Sequence, residues 1–432
     1  MSILKYFSYN KTSQIKIKNE INGGIVNFMA ISYIIMLNPV ILNANGTGFP
    51  INPTITATIL AIVISTLIAS LFIRLPFILA PGMGLNAYVG YMLASHMHLP
   101  IPTILGVIFY SSIILFIFSI TNLRQKIINA IPEVLQQSLS VGIGLLLILI
   151  GLKNVGIVVG NSATLLSINN KINIEMILCF ITFIIASTLF IRGKVYALLL
   201  PIILTTLISI LLGTSKLPKE LITTPDFSLF YQIDFINSLQ LTLIPVILSL
   251  FIVNFFDATS SVLGLLSQLK YNNKEEKEYY FKKTLTIDAC GGIISSIAGT
   301  SPNAIFVESS VGIHSGAKTG FSSFITALLT IPFIFLSNLI SIVPSCATSP
   351  ILILVGMLMV KHIKNINSKK LEDLISATFT IIMMPLCFSI TAGAVFGIIS
   401  YTLLKICLGK INEISFSLLI ISIGCCGWFF LK

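Results

Sequence analysis

Apolar runs of about twenty residues recur from Gly23 almost to the end of the chain, separated by short polar connections. As a helix, a run of that length crosses roughly 30 Å of hydrocarbon. The pattern predicts a first series of helical spans over 23–42, 54–73, 76–95, 102–121, 134–152, 174–191 and 195–212. A polar stretch follows, from Gly213 to about Asp234. The second series runs over 239–264, 284–300, 302–317, 320–340, 346–361, 373–390 and 391–407. Pro385 and Gly393 cut the 373–407 stretch into two short pieces. A last apolar run, 414–431, has the length of a fifteenth crossing and equally that of a helix lying on the membrane surface. The expectation is an all-α polytopic membrane protein with about fourteen segments.

The two series echo one another. Segment three opens with Leu79-Ala80-Pro81-Gly82-Met83-Gly84-Leu85-Asn86-Ala87, and segment ten with Ala298-Gly299-Thr300-Ser301-Pro302-Asn303-Ala304. Pro81 and Pro302 stand 221 residues apart, about half the chain. Seven is odd, so the second set of crossings must run opposite to the first, which makes an inverted repeat. Gly/Pro-interrupted segments at matching places in two halves point to the binding site of a transporter. Broken helices leave free backbone N–H groups and a positive dipole end at mid-membrane, where a polar cargo needs partners. The expected breaks are Pro81, Gly82 and Gly84 in one half, and Gly299 and Pro302 in the other.

Composition agrees: 55% of the 432 residues are hydrophobic and 9% charged, too few charges for a water-facing surface. The net charge of +11 invites a nucleic-acid reading, but its distribution does not. Of 26 Lys and Arg, 21 fall on alternate connections, among them Lys5 to Lys18, Arg74, Arg124, Arg192, the run Lys270–Lys283, Lys361 to Lys370 and Lys410. That bias places the N-terminus and the Lys270–Lys283 connection in the cytoplasm, with no nucleic-acid partner implied. The basic first twenty residues are not expected to act as a cleaved signal peptide. The seven cysteines have no metal-ligand spacing and read as small packing residues.

Two carboxylates stand out inside apolar segments, Asp257 in Asn254-Phe255-Phe256-Asp257-Ala258-Thr259 and Glu308 in Phe306-Val307-Glu308-Ser309. A carboxylate at membrane depth must be paired, protonated or hydrated, which makes function its default explanation. The competing explanation is a hydrogen bond that holds helices together. Glu308 is expected one or two turns into the tenth half-helix. Asn86 follows the first break, and Asn254 shares a helix face with Asp257 by its i,i+3 spacing. Amides and carboxylates together suit the donor and acceptor edges of a flat heterocycle, with Phe255, Phe256 and Phe306 as possible stacking faces. The four histidines look dispensable, although His314, six residues past Glu308, is a conceivable proton relay.

Several strings then become specific: APGMGLNAY (80–88), INAIPEVLQQSLSVGIGL (128–145), IGLKNVGIVV (150–159), FFDATSS (255–261) and GTSPNAIFVESSVGIHSGAKTG (299–320). Over about Ile21–Lys410 the chain resembles the AzgA-like purine permeases of the nucleobase–cation symporter group. The resemblance implies fourteen segments in two inverted repeats, residues 1–212 and 239–410, joined by 213–238 and followed by a C-terminal hydrophobic segment, 411–432. It implies a core of segments 1–4 and 8–11, a gate of segments 5–7 and 12–14, and proton-coupled import across the inner (plasma) membrane by elevator-like movement. It implies no cofactor and admits a homodimer. It places substrate contacts at Asn86, Asn254, Asp257, Phe306 and Glu308, with proton coupling at Glu308 and Asp257.

Departures from the family pattern bear on the cargo. Many such permeases carry Asp where this chain has Asn254; those resembling the bacterial adenine branch carry Asn, which favours adenine over hypoxanthine or guanine. Ser260 replaces a usual Gly, and Phe306 replaces a more common Tyr. The alternatives are a carrier of the same architecture for uracil, xanthine or an anion, and a membrane-embedded enzyme. Two carboxylates at the site oppose an anion, and no HExxH, GxGD or Ser/Lys arrangement lies at membrane depth.

Overall fold

The structure is a computed structural model that describes residues 16–43, 48–121, 132–161, 165–169, 172–215, 222–266, 268–269, 274–366, 370–387 and 390–415, with the isolated positions 7, 418, 419 and 422. The first half contains α1 (Ile17–Leu42), α2 (Ile51–Phe72), strand β1 (Leu79–Pro81) and α3, an α-helix over Met83–Ala87 that widens into a π-helix over Tyr88–His96. Next come α4 (Ile101–Ile120), α5 (Glu133–Asn154), a hairpin of β2 (Val158–Asn161) and β3 (Leu165–Ile168), α6 (Ile174–Ile191) and α7 (Leu199–Leu211). The second half contains α8 (Ile244–Leu266), α9 (Lys274–Ala298), β4 (Asn303–Ile305), α10 (Ser309–His314), α11 (Gly320–Ser341, its middle wound as a 3-10 helix), α12 (Ser345–Val360), α13 (Leu371–Leu386) and α14 (Ile390–Cys407). Eight of these helices are long and apolar enough to cross a membrane by themselves. The run 414–431 lies almost wholly outside the described residues.

Local chemistry sets the boundaries. Pro50, Pro100, Pro132 and Pro344 stand immediately before α2, α4, α5 and α12, where a locked φ suits helix entrance and a missing N–H costs nothing. Asn173 and Thr319 cap α6 and α11 by accepting the amides of Met176 (2.8 Å) and Phe321 (3.2 Å). One boundary differs from expectation. Lys274 to Lys283, read as part of a polar connection, belongs to α9, whose charged first turns precede its apolar part. The β2–β3 hairpin was not anticipated either.

The two breaks meet. β1 and β4 cross as an antiparallel pair, Leu79 opposite Ile305 and Pro81 opposite Asn303, all buried. Backbone at this depth must find partners inside the protein, and the two halves supply them alike. From α2, the Thr66 hydroxyl lies 3.1–3.2 Å from the carbonyl and amide of Leu79. From the corresponding α9, Asp288 accepts the Ile305 amide (2.6 Å) and Ser295 that of Asn303 (3.2 Å). Ser65 of α2 accepts the Asn303 side-chain amide (2.9 Å), tying one repeat to the other. Asp288 is fully buried in the middle of its helix, so buried carboxylates are more numerous than the two singled out from sequence.

The helices form two packed groups. In one, α9 and α11 pack on α2, α11 also on α1, α9 and α8 on α4, and α10 on α1. In the other, α12 lies on α5 and α6, and α13 on α5 and α14. Contact between the groups is thinner. Within the second group α5 and α12 approach through Gly144 and Gly356; a Cβ on either would lie 2.6 Å from the other's carbonyl oxygen. Small residues permit such close helix contact in a membrane. Gly144→Val is therefore expected to destabilise the detergent-solubilised protein by about 1–3 kcal/mol, read as a lower unfolding temperature.

Candidate functional site

The site is built from the ends of the two broken segments and the middle of α8. Of the predicted breaks, Pro81 lies in β1, Gly82 and Pro302 flank the strands, and Gly299 ends α9 with φ +96°. The Gly82 amide donates to the Pro302 carbonyl at 3.3 Å. Gly84 differs: it is helical, and its added Cβ would press on Ile143 of α5 at 3.1 Å, so its smallness serves packing between the groups.

Glu308 is not one or two turns inside its helix. It occupies the N-cap of α10, because residues 303–305 are spent on the β4 strand and the helix starts only at Ser309. The Tyr33 hydroxyl of α1 donates to Glu308 Oε1 at 3.1 Å, and the Tyr33 ring lies 6.4 Å from that of Phe306. Both rings are buried, while Glu308 keeps partial exposure. Asp257 is close enough for its charge to act on Glu308. Behind α10, Asn27 of α1 accepts the Gly312 amide at 3.0 Å; a Cβ on Gly312 would strike that oxygen at 2.2 Å.

Asn86 belongs to a buried polar network that sequence reasoning missed. The Ser301 hydroxyl lies 2.7 Å from Asn86 Oδ1 and 2.9 Å from Asn38 Oδ1. Asn38 in turn donates to Thr58 (2.7 Å) and Thr300 (2.9 Å). One end of the Asn86 amide is thus fixed, whereas Nδ2 is buried with no partner among the described residues. Asn254 carries a second such atom, its Oδ1. A polar ligand with both a donor and an acceptor edge is what would satisfy atoms of these two kinds. Phe255 is not a stacking face, being buried against Phe251 with ring centres 5.8 Å apart; the Phe256 side chain lies outside the described residues.

Asp257 borders a cavity of about 20 Å³ whose other walls include Gly84 and Val253 on one side and Gln136, Ser140 and Met359 on the other. That volume holds roughly one water and no heterocycle. Elsewhere, His314 ends α10 exposed. Five cysteines, 179, 290, 346, 387 and 407, are free thiols, and no cluster of metal ligands occurs among the described residues.

A family profile described as a permease family, Xan_ur_permease, matches residues 18–398, the whole of the two repeats up to α14. The chain belongs to the Xan_ur_permease family. This permease is 32% identical to the adenine permease AdeP of Escherichia coli K12 over 407 residues, 94% of this chain and 91% of that one. It is 34% identical to the guanine/hypoxanthine permease PbuO of Bacillus subtilis 168 over 415 residues, covering 94% and 95%. In architecture it is similar to the transmembrane domain of the cyanobacterial bicarbonate transporter BicA (TM-score 0.67, 17% identity, 88% of this chain and 98% of that one). The murine anion transporter Slc26a9 in its inward-facing state is also similar (TM-score 0.66, 11% identity, covering 93% and 70%). The permease is accordingly a multi-pass membrane transporter of the same inverted-repeat fold, and not an enzyme.

Proposed function

We propose that this permease imports a purine nucleobase, adenine in preference to hypoxanthine or guanine, by proton symport across the inner membrane. The observation that carries the reading is the pairing of open amide ends on Asn86 and Asn254 with two neighbouring carboxylates, Asp257 and Glu308. A purine offers N–H donors to carboxylates and ring nitrogens to an amide N–H. The substrate names of AdeP and PbuO point the same way. Helices α1–α4 and α8–α11 act as the moving core, and α5–α7 and α12–α14 as the gate, with the N-terminus cytoplasmic. Proton binding at Glu308 or Asp257 is tied to cargo occupancy, so the loaded core crosses with its charge reduced.

The anion-carrier alternative rests on the BicA-like fold, and fold alone does not choose cargo. Carboxylates at the site would repel an anion. The test is uptake of labelled adenine, hypoxanthine, guanine and uracil into a strain lacking its own permeases. Adenine accumulation abolished by a protonophore is expected. Uptake confined to uracil defeats the cargo assignment, and sodium-dependent uptake indifferent to the protonophore defeats proton coupling. Asn254→Ala should raise the adenine half-saturation about five- to tenfold, the loss of one neutral hydrogen bond of about 1 kcal/mol. Topology has its own check: reporter fusions within Lys270–Lys283 should report the cytoplasmic side.

A further inference from the structure

Resting on the moving-core reading, we infer that residues 222–243, most of the connection between the two repeats, form a strap that belongs to the core and travels with it. The chain passes here from α7, a gate helix, to α8, a core helix, so its sequence position alone assigns it to neither. Its contacts decide. The Thr223 amide donates to the Phe335 carbonyl (2.9 Å), and the Thr223 hydroxyl lies 2.7 Å from that of Ser337, both on α11. The Asp226 amide donates to the Thr56 hydroxyl of α2 at 3.3 Å. The Tyr231 amide donates to the Ile297 carbonyl of α9 (2.8 Å), and the Asp234 amide to the Pro102 carbonyl of α4 (3.0 Å). All four helices belong to the first packed group. Among the described residues no hydrogen bond joins the strap to α5–α7 or α12–α14.

These contacts hold the strap down. Ile297 stands in the last turn of α9, where a carbonyl lacks a partner in its own helix, and Tyr231 supplies one. Leu229 is buried against Gly299, where an added Cβ would lie 2.5 Å from the Leu229 Cβ. On α4, Gly106 has no room for a side chain beside Ser238 of the strap. Gly299 directly precedes Thr300 and Ser301, which bond to Asn38 and, through Ser301, to Asn86. Lifting the strap would strip a helix-end carbonyl of its partner and open Leu229 to water beside that network. The boundary between core and gate therefore falls before Thr223, well ahead of α8, and the strap roofs the network that holds Asn86.

The test locks the strap where it lies. Thr223→Cys with Ser337→Cys puts two thiols where hydroxyls stand 2.7 Å apart, close enough for a disulfide with little movement. A second pair, Gly84→Cys with Ile143→Cys, bridges core to gate, where a Cβ on Gly84 would lie 3.1 Å from the Ile143 side chain. Adenine uptake into proteoliposomes is measured for each pair oxidised and again after reduction, with the parent treated alike to control for its own thiols. The strap pair should transport equally well oxidised and reduced, whereas oxidation should arrest the core–gate pair and reduction release it. Arrest of the strap pair by oxidation, relieved by reduction, means that the strap leaves the core in each cycle and overturns the inference. Unchanged uptake by both pairs when oxidised means that core and gate do not move past one another; the moving-core reading then fails, and the inference with it. If the strap pair does not fold, amide hydrogen exchange of the parent decides. The amides of Thr223, Tyr231 and Asp234 should stay protected while the protein turns over adenine, and rapid exchange there overturns the inference.

Discussion

Glu308→Gln is expected to abolish concentrative purine uptake while leaving the protein folded and in the membrane. The substituted amide has nearly the same shape, and Tyr33 can still donate to its oxygen across the 3.1 Å contact. What disappears is the charge and the titratable proton. A charge-assisted bond to a ligand N–H, worth about 1.5–3 kcal/mol, falls to a neutral one of about 1 kcal/mol. Affinity should therefore fall roughly tenfold, and coupling to the proton gradient should fail altogether. Glu308 sits at the N-cap of α10, whose first four amides are taken by the carbonyls of Phe306, Val307 and Glu308 and by the Asn27 side chain. Glu308→Asp withdraws the carboxylate by one methylene and should keep part of the transport. Uptake kinetics with membrane levels measured in parallel check both. If Glu308→Gln never reaches the membrane, the carboxylate holds helices together instead.

Lys405→Met is expected to be the most destabilising single change outside the site, by about 2–3 kcal/mol once partial exposure of its partners is discounted. The Lys405 side chain is 1% exposed, and its Nζ lies 2.7 Å from Glu413 and 3.3 Å from both Glu372 and Asp373. Lys410 and Lys370 complete the cluster, at 2.6 Å from Glu372 and 3.4 Å from Glu413. Together they tie the start of α13 to the end of α14 and the residues after it. Removing the central cation leaves three carboxylates facing one another. The hydrogen bond from Lys405 holds the Glu413 carboxyl below the usual carboxylate range. A depressed folded-state value means stabilisation that is present at neutral pH and lost as pH falls through the acid range. The parent should thus lose thermal stability on acidification, and Lys405→Met should lose less. Unfolding temperatures between neutral and acid pH, with purine uptake measured at neutral pH, separate this role from a part in transport.

Fourteen segments and the paired breaks were legible because hydropathy and Gly/Pro spacing report directly on membrane crossing and on helix interruption. Breaks at Pro81 and Pro302 were expected at matching places in the two halves, and the strands β1 and β4 beside them turn out to pair with each other. The sequence did not disclose that three residues per break are spent as strand, which is why Glu308 stands at a helix start and not inside one. Asp288 escaped notice because it follows a lysine-rich stretch read as connection. Its signal was present in the spacing of Thr284, Asp288, Gly291 and Ser295, one polar or small face of α9. Tyr33 and Asn38 were invisible for a different reason. Each becomes informative only through a partner more than 260 residues away, Glu308 for one and Thr300 and Ser301 for the other.

Proteoliposomes can show whether the Asn86, Asn254, Asp257 and Glu308 site carries a purine together with a proton. Purified protein would be reconstituted with an acid-outside pH gradient, and labelled adenine and bicarbonate offered in parallel. Accumulation of adenine above its external concentration, collapsing when the gradient is dissipated, is the predicted result. Gradient-independent passage of bicarbonate with no adenine uptake would contradict it.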